Sequence, residues 1–373
     1  MAVKLVKTVE GMPVWLVTGY REVRQALADR RLCQNAARAQ RLADQMADGV
    51  DLGSDVIHML NSDPPDHTRL RRVMSGAFST ARVTALRPRI EEIADELLDR
   101  MGRQSESDLI RDYAFPLPVT VICELLGVPA DDRSLFRDWS TALLTHERSV
   151  AAQAAITAMR DYLERLLAHR GDGDDLLSEL VRARQRGQLG HDEVVAMAIL
   201  LLIAGHETTV GLIGNAVLVL LRHPQERAEL EANPDRLPDF LEEVLRLESP
   251  VAMAPLRFTT AEVRLGEVDV PAGQFVLLAL GAANRDPHRF SEPDSLRLGR
   301  SHGHLAFGHG IHRCLGAALA RVEGDIALRR LLIRYPGLSL VGGEDDLHWR
   351  DTPMLRGLES LPVTLGCGSG SSG

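Results

Sequence analysis

A mainly helical α+β fold with a small β portion is what this sequence predicts. From Arg87 to about Gly190 the apolar spacing is helical nearly throughout. Between Asp192 and Pro224 it runs for about eight to nine turns, long for a globular helix and therefore central. From Val251 to Leu280 the period changes to alternation, with turn residues at Gly266 and Pro271-Ala272-Gly273. No internal repeat and no break in composition divides the chain, so residues 1–365 read as one domain.

In chain order, Pro13–Thr18 is a short β-rich run and Glu22–Ala28 a helix. The stretch near Gly49 to Gly53 reads as a loop. Asp63-Pro64-Pro65-Asp66-His67 is a turn ahead of a basic helix beginning near Thr68. Helices follow at Ile90–Met101, Pro118–Leu126, Val150–Arg170 and Asp175–Gln185, the last two parted by Gly171-Asp172-Gly173-Asp174. After the long helix another opens at Pro238, a favoured first position, and ends before Pro250. A Gly/His-rich loop, His302–Gly316, leads into a last helix over Ala317–Arg334. Leu361–Leu365 is strand-like, and Gly366–Gly373 is a Gly/Ser tail, disordered or an expression remnant.

The composition excludes several classes. With 45% hydrophobic and 25% charged residues the chain is neither fibrous nor wholly disordered. Aromatics are only 4%, so Leu, Ala, Val and Ile must fill the core. Lys+Arg total 43 against 52 Asp+Glu, and the net charge of −9 argues against a nucleic-acid partner. Cys33, Cys123, Cys314 and Cys367 lack any C-x-x-C spacing, which speaks against a disulfide framework and for a reducing cytoplasm. The opening, Met1–Lys7, is broken by Lys4 and Lys7, unlike an export signal. The most apolar stretch, Val194–Leu221, carries His206, Glu207, two threonines and Asn215 in its middle and is expected to fall short of a membrane span.

Three departures from ordinary patterning carry the chemistry. In the long helix, apolar Val194–Ile203 gives way to Ala204-Gly205-His206-Glu207-Thr208-Thr209 before the apolar run resumes at Val210. Gly and Thr are poor helix formers and Glu is rarely buried unpaired. The segment reads as a kink or a ligand approach, with an acid beside a hydroxyl to relay protons. The plainer reading is a tolerated glycine with threonines bonded to the preceding turn. In His304–Gly316, Gly308, Gly310 and Gly316 permit turns that bring the backbone close to Cys314. The helix that begins just beyond favours a thiolate there, as metal ligand or nucleophile, against the alternative of an inert cysteine. Glu243 and Arg246, at i,i+3, are within reach on one helix, and periodicity alone makes them a solvated surface pair.

Together and in this order, these elements resemble the cytochrome P450 family. Phe307, Gly310, Cys314 and Gly316 match its haem-binding pattern F-x-x-G-x-x-x-C-x-G. Ala204-Gly205-His206-Glu207-Thr208 matches A-G-x-[DE]-T of the long I helix, and Glu243 with Arg246 matches E-x-x-R of the K helix. Arg300 matches the arginine that completes that network. Asn284-Arg285-Asp286-Pro287 and the run Asp63–Arg72 are similar to further segments of soluble bacterial members. Such members usually carry a first helix ahead of the strand matching Val14–Thr18, and here that helix is expected to be missing.

The resemblance implies a single haem domain with haem b bound through the Cys314 thiolate, and O2 as co-substrate. It implies His67, Arg71, Arg257 and His312 against the haem propionates, Phe307 and Gly308 near the ligand loop, and Ala204 beside the cofactor. Gly205 would make room for O2, Thr208 would hydrogen-bond the bound oxygen, and Glu207 would feed protons. Glu243, Arg246 and Arg300 would be structural. Ile203, Val251, Ala252, Met253 and Ala254 would line a pocket that is small and apolar, for a hydrophobic secondary metabolite of macrolide, polyketide, steroid or terpenoid type. The implied activity is insertion of one oxygen atom into an unactivated C–H bond. Oxidative coupling of aromatic rings in a cyclic peptide is one alternative, a non-catalytic haem protein another, and a Cys314–His312 thiol hydrolase a third. With no flavin or iron–sulfur signature, electrons are expected from a ferredoxin and its reductase. Docking is expected at a basic patch of Arg72, Arg313, Arg321, Arg329 and Arg330. A cytoplasmic monomer without membrane contact completes the expectation.

Overall fold

The computed structural model describes residues 2–8, 11–46, 57–145, 150–300 and 303–366. The expected loop at Gly49–Gly53, His302 and the tail from Cys367 onward lie outside the described residues. The helices are α1 (Tyr20–Ala28), α2 (Ala36–Met46), α3 (Asp66–Ser75), α4 (Thr80–Ala85), α5 (Arg87–Met101), α6 (Pro116–Leu126), α7 (Arg133–Thr145), α8 (Val150–Ala168), α9 (Leu176–Gln185), α10 (His191–Arg222), α11 (Pro224–Ala232), α12 (Leu237–Leu247), α13 (Leu280–Ala283) and α14 (Ala317–Arg334). The strands are β1 (Val3–Lys7), β2 (Pro13–Val17), β3 (Leu32–Cys33), β4 (Glu106–Asp108), β5 (Arg257–Thr259), β6 (Val263–Leu265), β7 (Val268–Val270), β8 (Phe275–Leu278), β9 (Ser339–Leu340) and β10 (Pro362–Thr364).

Local chemistry sets the helix ends. Asp175 is the cap of α9 and not its first residue, its Oδ1 accepting the Ser178 N–H at 2.9 Å. Glu193 does the same service for α10 from inside, accepting the Gly190 N–H at 2.8 Å. Pro224 cannot continue α10 and instead opens α11. The Ala204–Thr209 segment does not interrupt the helix: α10 is helical from His191 to Arg222.

The large apolar core forms where α10 is surrounded by α6, α8, α9, α12 and α14, with α5 packed behind α6 and α14. By length and composition α10 could cross a membrane, contrary to the sequence expectation, but it is enclosed by these helices. A smaller core lies under a five-stranded sheet of order β1-β2-β8-β5-β3. There β2 runs parallel to β8, and the other neighbours pair antiparallel. A three-stranded sheet, β4-β10-β9, and the β6–β7 hairpin complete the β portion. Strand β1 was not foreseen. Lys4 and Lys7 mask its pattern, and it is held by pairing along the whole length of β2.

Candidate functional site

Between Val194 and Leu220 every residue of α10 is buried except Ile203, Ala204, Gly205 and Thr208. Ala204 and Thr208, four apart, share one helix face. The central helix is therefore left uncovered by protein along one short stripe halfway along its length. Gly205 has a different reason to be glycine. A Cβ there would lie 2.8 Å from Ile122 Cγ1, so the close approach of α6 already requires glycine.

Glu207 points into protein. Its Oε2 accepts from Arg350 Nη1 at 2.8 Å. Its Oε1 lies 2.7 Å from His206 Nε2, close but without hydrogen-bond geometry. The other ring nitrogen of His206, Nδ1, is 2.6 Å from the Leu202 carbonyl. Burial works to raise the Glu207 pKa, but the close His206 and Arg350 outweigh it, and the carboxyl sits below its ordinary value.

The cysteine loop is folded by its glycines. Gly310 has φ +74, and a Cβ on it would meet the Leu27 carbonyl at 2.6 Å, so no other residue fits on either ground. Gly308 donates its N–H to Leu305 O, and Cys314 donates its N–H to Phe307 O, both at 2.8 Å. Cys314 is open to solvent yet closely surrounded by protein, as a side chain on a cavity wall is. Burial raises its thiol pKa. The Gly316 N–H and the charges of Arg71, Arg313 and Arg321 oppose that without cancelling it.

Beside the loop, four donors converge. The rings of His67 and His312 are 4.3 Å apart, and Arg71 Nη2 donates to Arg313 O at 2.7 Å. Arg257 is buried, with only long contacts of 3.4–3.5 Å from Nη1 to the carbonyls of Ala26, Leu27 and Leu32. Its Nε, like His67 Nε2, has no partner. Burial, with the charges of His67, Arg257 and Arg71, lowers the His312 pKa to about 3, and burial lowers Arg257 to about 10. Two buried ring and guanidinium nitrogens without partners, beside two arginine charges, fit an anionic group with at least two acceptors, as the two propionates of haem are.

The Glu243–Arg246 pair is buried and not solvated, because distant segments cover it. Arg246 Nε and Nη2 donate to Glu243 at 2.9 and 2.8 Å, and Arg300 Nε donates to Glu243 Oε1 at 3.0 Å. Arg246 also donates to the carbonyls of Asn284, Pro293 and Ser295. Burial opposes ionisation of Glu243, and Arg246 with Arg300 prevails, lowering its pKa.

Other expectations need revision. Ala254 is not free to line a pocket: it is 3% exposed, packs into the smaller core and donates its N–H to Leu278 O. Ile203, Val251, Ala252 and Met253 are half-buried, as a lining requires. Of the basic patch, Arg321 is paired with Glu242, Arg329 with Asp325, and Arg330 with Glu91. Arg72 and Arg313 are exposed and have no carboxylate partner among the described residues. Sequence reasoning missed Arg350, Glu242 and His304. Glu242 bonds to residues 62 and 79 positions away, which no local spacing reveals.

A family model described as Cytochrome P450 matches residues 135–344. "Cytochrome P450 107B1" of Saccharopolyspora erythraea is 49% identical over 376 residues, covering 98% of this chain and 92% of that protein. "Vitamin D(3) 25-hydroxylase" of Pseudonocardia autotrophica is 47% identical over 95% of this chain and 88% of its own. Among solved structures, the tirandamycin C-bound P450 monooxygenase TamI superposes with a TM-score of 0.91 at 45% identity, covering 98% of this chain and 94% of that one.

Proposed function

The chain belongs to the cytochrome P450 family, and on that premise we propose that it inserts one oxygen atom of O2 into an unactivated C–H bond of a hydrophobic small molecule. The observation that carries this reading is the donor cluster of His67, Arg71, Arg257 and His312 beside Cys314, with the orphaned Arg257 Nε and His67 Nε2 awaiting an anion. These residues would hold the propionates of haem b, and Cys314 would bind its iron as thiolate. Haem, when bound, supplies the iron that activates dioxygen, and a thiolate ligand favours cleavage of the O–O bond.

The chain's own residues do the rest. Phe307 and Gly308 hold the turn that presents Cys314, and Ala204 gives the cofactor a small neighbour on α10. Thr208, on the unpacked stripe of α10, holds a proton at its hydroxyl for the reacting oxygen, and Glu207 replenishes it. Glu243, Arg246 and Arg300 keep the segment ahead of the cysteine loop fixed. Ile203, Val251 and Met253 exclude water with apolar side chains, which favours a hydrophobic substrate of secondary-metabolite, steroid or terpenoid type. Relatives named for acting on vitamin D(3) and for binding tirandamycin C support a small-molecule substrate. Electrons would come from a ferredoxin and its reductase, docked near the exposed Arg72 and Arg313, in the cytoplasm.

The test is spectroscopic. The purified protein should carry one b-type haem, and its reduced CO adduct should show the red-shifted Soret band of thiolate ligation. Cys314→Ala should abolish that band, while replacing Cys33 or Cys123 should leave it. A mutant that keeps the band would remove Cys314 from its role. Candidate substrates are then screened by the haem spin-state shift.

A further inference from the structure

Glu242, one residue before the buried Glu243, belongs to no sequence motif, yet three bonds converge on it. Arg321 Nε donates to Oε1 at 2.5 Å and Nη2 to Oε2 at 2.9 Å, a bidentate pair between α14 and α12. His304 Nε2 lies 3.1 Å from Oε2. The Ala306 N–H donates to His304 Nδ1 at 3.2 Å, so Nε2 carries the ring proton and donates to Glu242. His304 lies ahead of Cys314 in the chain and Arg321 after it, and one carboxylate ties both ends of the loop. Held this way, the Arg321 guanidinium lies 4.4 Å from the centroid of the Phe307 ring, an attractive cation–π distance. The carbonyl of that same Phe307 accepts the Cys314 N–H.

We propose that Glu242 and Arg321 are positioning residues for Cys314, an ion pair whose balance of charge sets the field at the thiolate and so the potential of the iron it binds. The proposal rests on Cys314 as haem ligand. Reducing ferric to ferrous iron adds one electron to the site. A positive charge nearby favours the reduced form and a negative charge disfavours it. The side chains of Glu242 and Arg321 are 15% and 34% exposed, so solvent screens them incompletely. Arg321 acts on the Cys314 sulfur together with Arg71 and Arg313, but of these three it alone is stacked on Phe307 and paired with Glu242.

The experiment is a spectroelectrochemical titration of the haem-loaded protein. Glu242→Gln leaves Arg321 unneutralised and should shift the midpoint potential upward. Arg321→Gln leaves Glu242 unneutralised and should shift it downward. The double variant should return toward the parent. A purely structural pair would move both single variants in the same direction or not at all, and either result overturns the proposal. Where a glutamine variant fails to hold haem, Arg321→Lys decides. It keeps the charge, so an unchanged potential supports the proposal and a downward shift overturns it. If the parent's CO adduct lacks the thiolate band, the ligand assignment falls and takes the proposal with it. If the band is present and the shifts are not opposite in sign, only the proposal falls.

Discussion

Glu243 and Glu207 are both buried glutamates facing an arginine, one on α12 and one at the middle of α10. At Glu243 the bonding is saturated. Two arginines and the Arg297 N–H donate to it, and the spare donors of Arg246 end on carbonyls. At Glu207 it is not. Arg350 makes one bond, while Glu207 Oε1 and His206 Nε2 face each other at 2.7 Å without hydrogen-bond geometry. A saturated buried pair is expensive to disturb and keeps one arrangement. A partly satisfied one leaves an acid with a proton site to spare, beside the stripe where α10 is unpacked. On the proposed function, the same residue type builds a scaffold in one place and a proton source in the other.

The largest effect that could break this contrast is at the scaffold. Glu243→Ala strands Arg246 and Arg300, and breaking a buried pair in this way costs about 3–5 kcal/mol. Urea unfolding measures it, and a loss below about 1 kcal/mol would put Glu243 in the class of surface pairs. Next comes acid. Glu242 has its pKa lowered to about 2 from 4.5, where burial is outweighed by His304 and Arg321. A depressed carboxyl stabilises the fold fully above the unfolded value, and that stability is lost as pH falls from about 4.5 toward 2. The difference is on the order of 3 kcal/mol. Glu242→Gln should therefore flatten the acid limb of a stability–pH curve, and parent and variant should converge near the low end.

At the reactive site the effect should fall on turnover. Glu207→Gln should slow product formation on the order of 10²-fold, the scale of general acid catalysis, with a far smaller change in the unfolding midpoint than Glu243→Ala. Equal stability losses at the two glutamates would erase the distinction. Smallest is Thr208→Ala, which should raise peroxide released per product by roughly tenfold while substrate binding, read by the spin shift, holds. Thr209→Ala is the control: Thr209 is buried, and its loss should affect coupling less.

The parts of this site legible in sequence are those fixed by neighbours along the chain. The bounds of α10 and α14 follow from apolar period and from Pro224 and Gly316, and the cysteine loop declares itself by glycines that its turns require. The α12 pair illustrates the limit. Periodicity puts Glu243 and Arg246 on the solvent side of their helix, and only the segment carrying Pro293, Ser295 and Arg300, folded over them, makes that face interior. Arg350 and Glu242 were invisible for the same reason: each finds its partner through tertiary packing. Ala254 erred the other way. A small apolar residue next to a pocket looks like lining until the sheet claims it.

The five-stranded sheet joins strands far apart in the chain: Val14 of β2 pairs with Phe275 of β8. During synthesis the first strands must wait until the ribosome has made the remaining members. At about 5–20 residues per second that delay is on the order of tens of seconds. Throughout it, the apolar side chains of β2 have no β8 to pair with. Such a strand invites aggregation, and the loop bearing Cys314 is made later still. Yield of haem-loaded protein should therefore depend on chaperone supply and growth temperature more than on the stability of the finished fold.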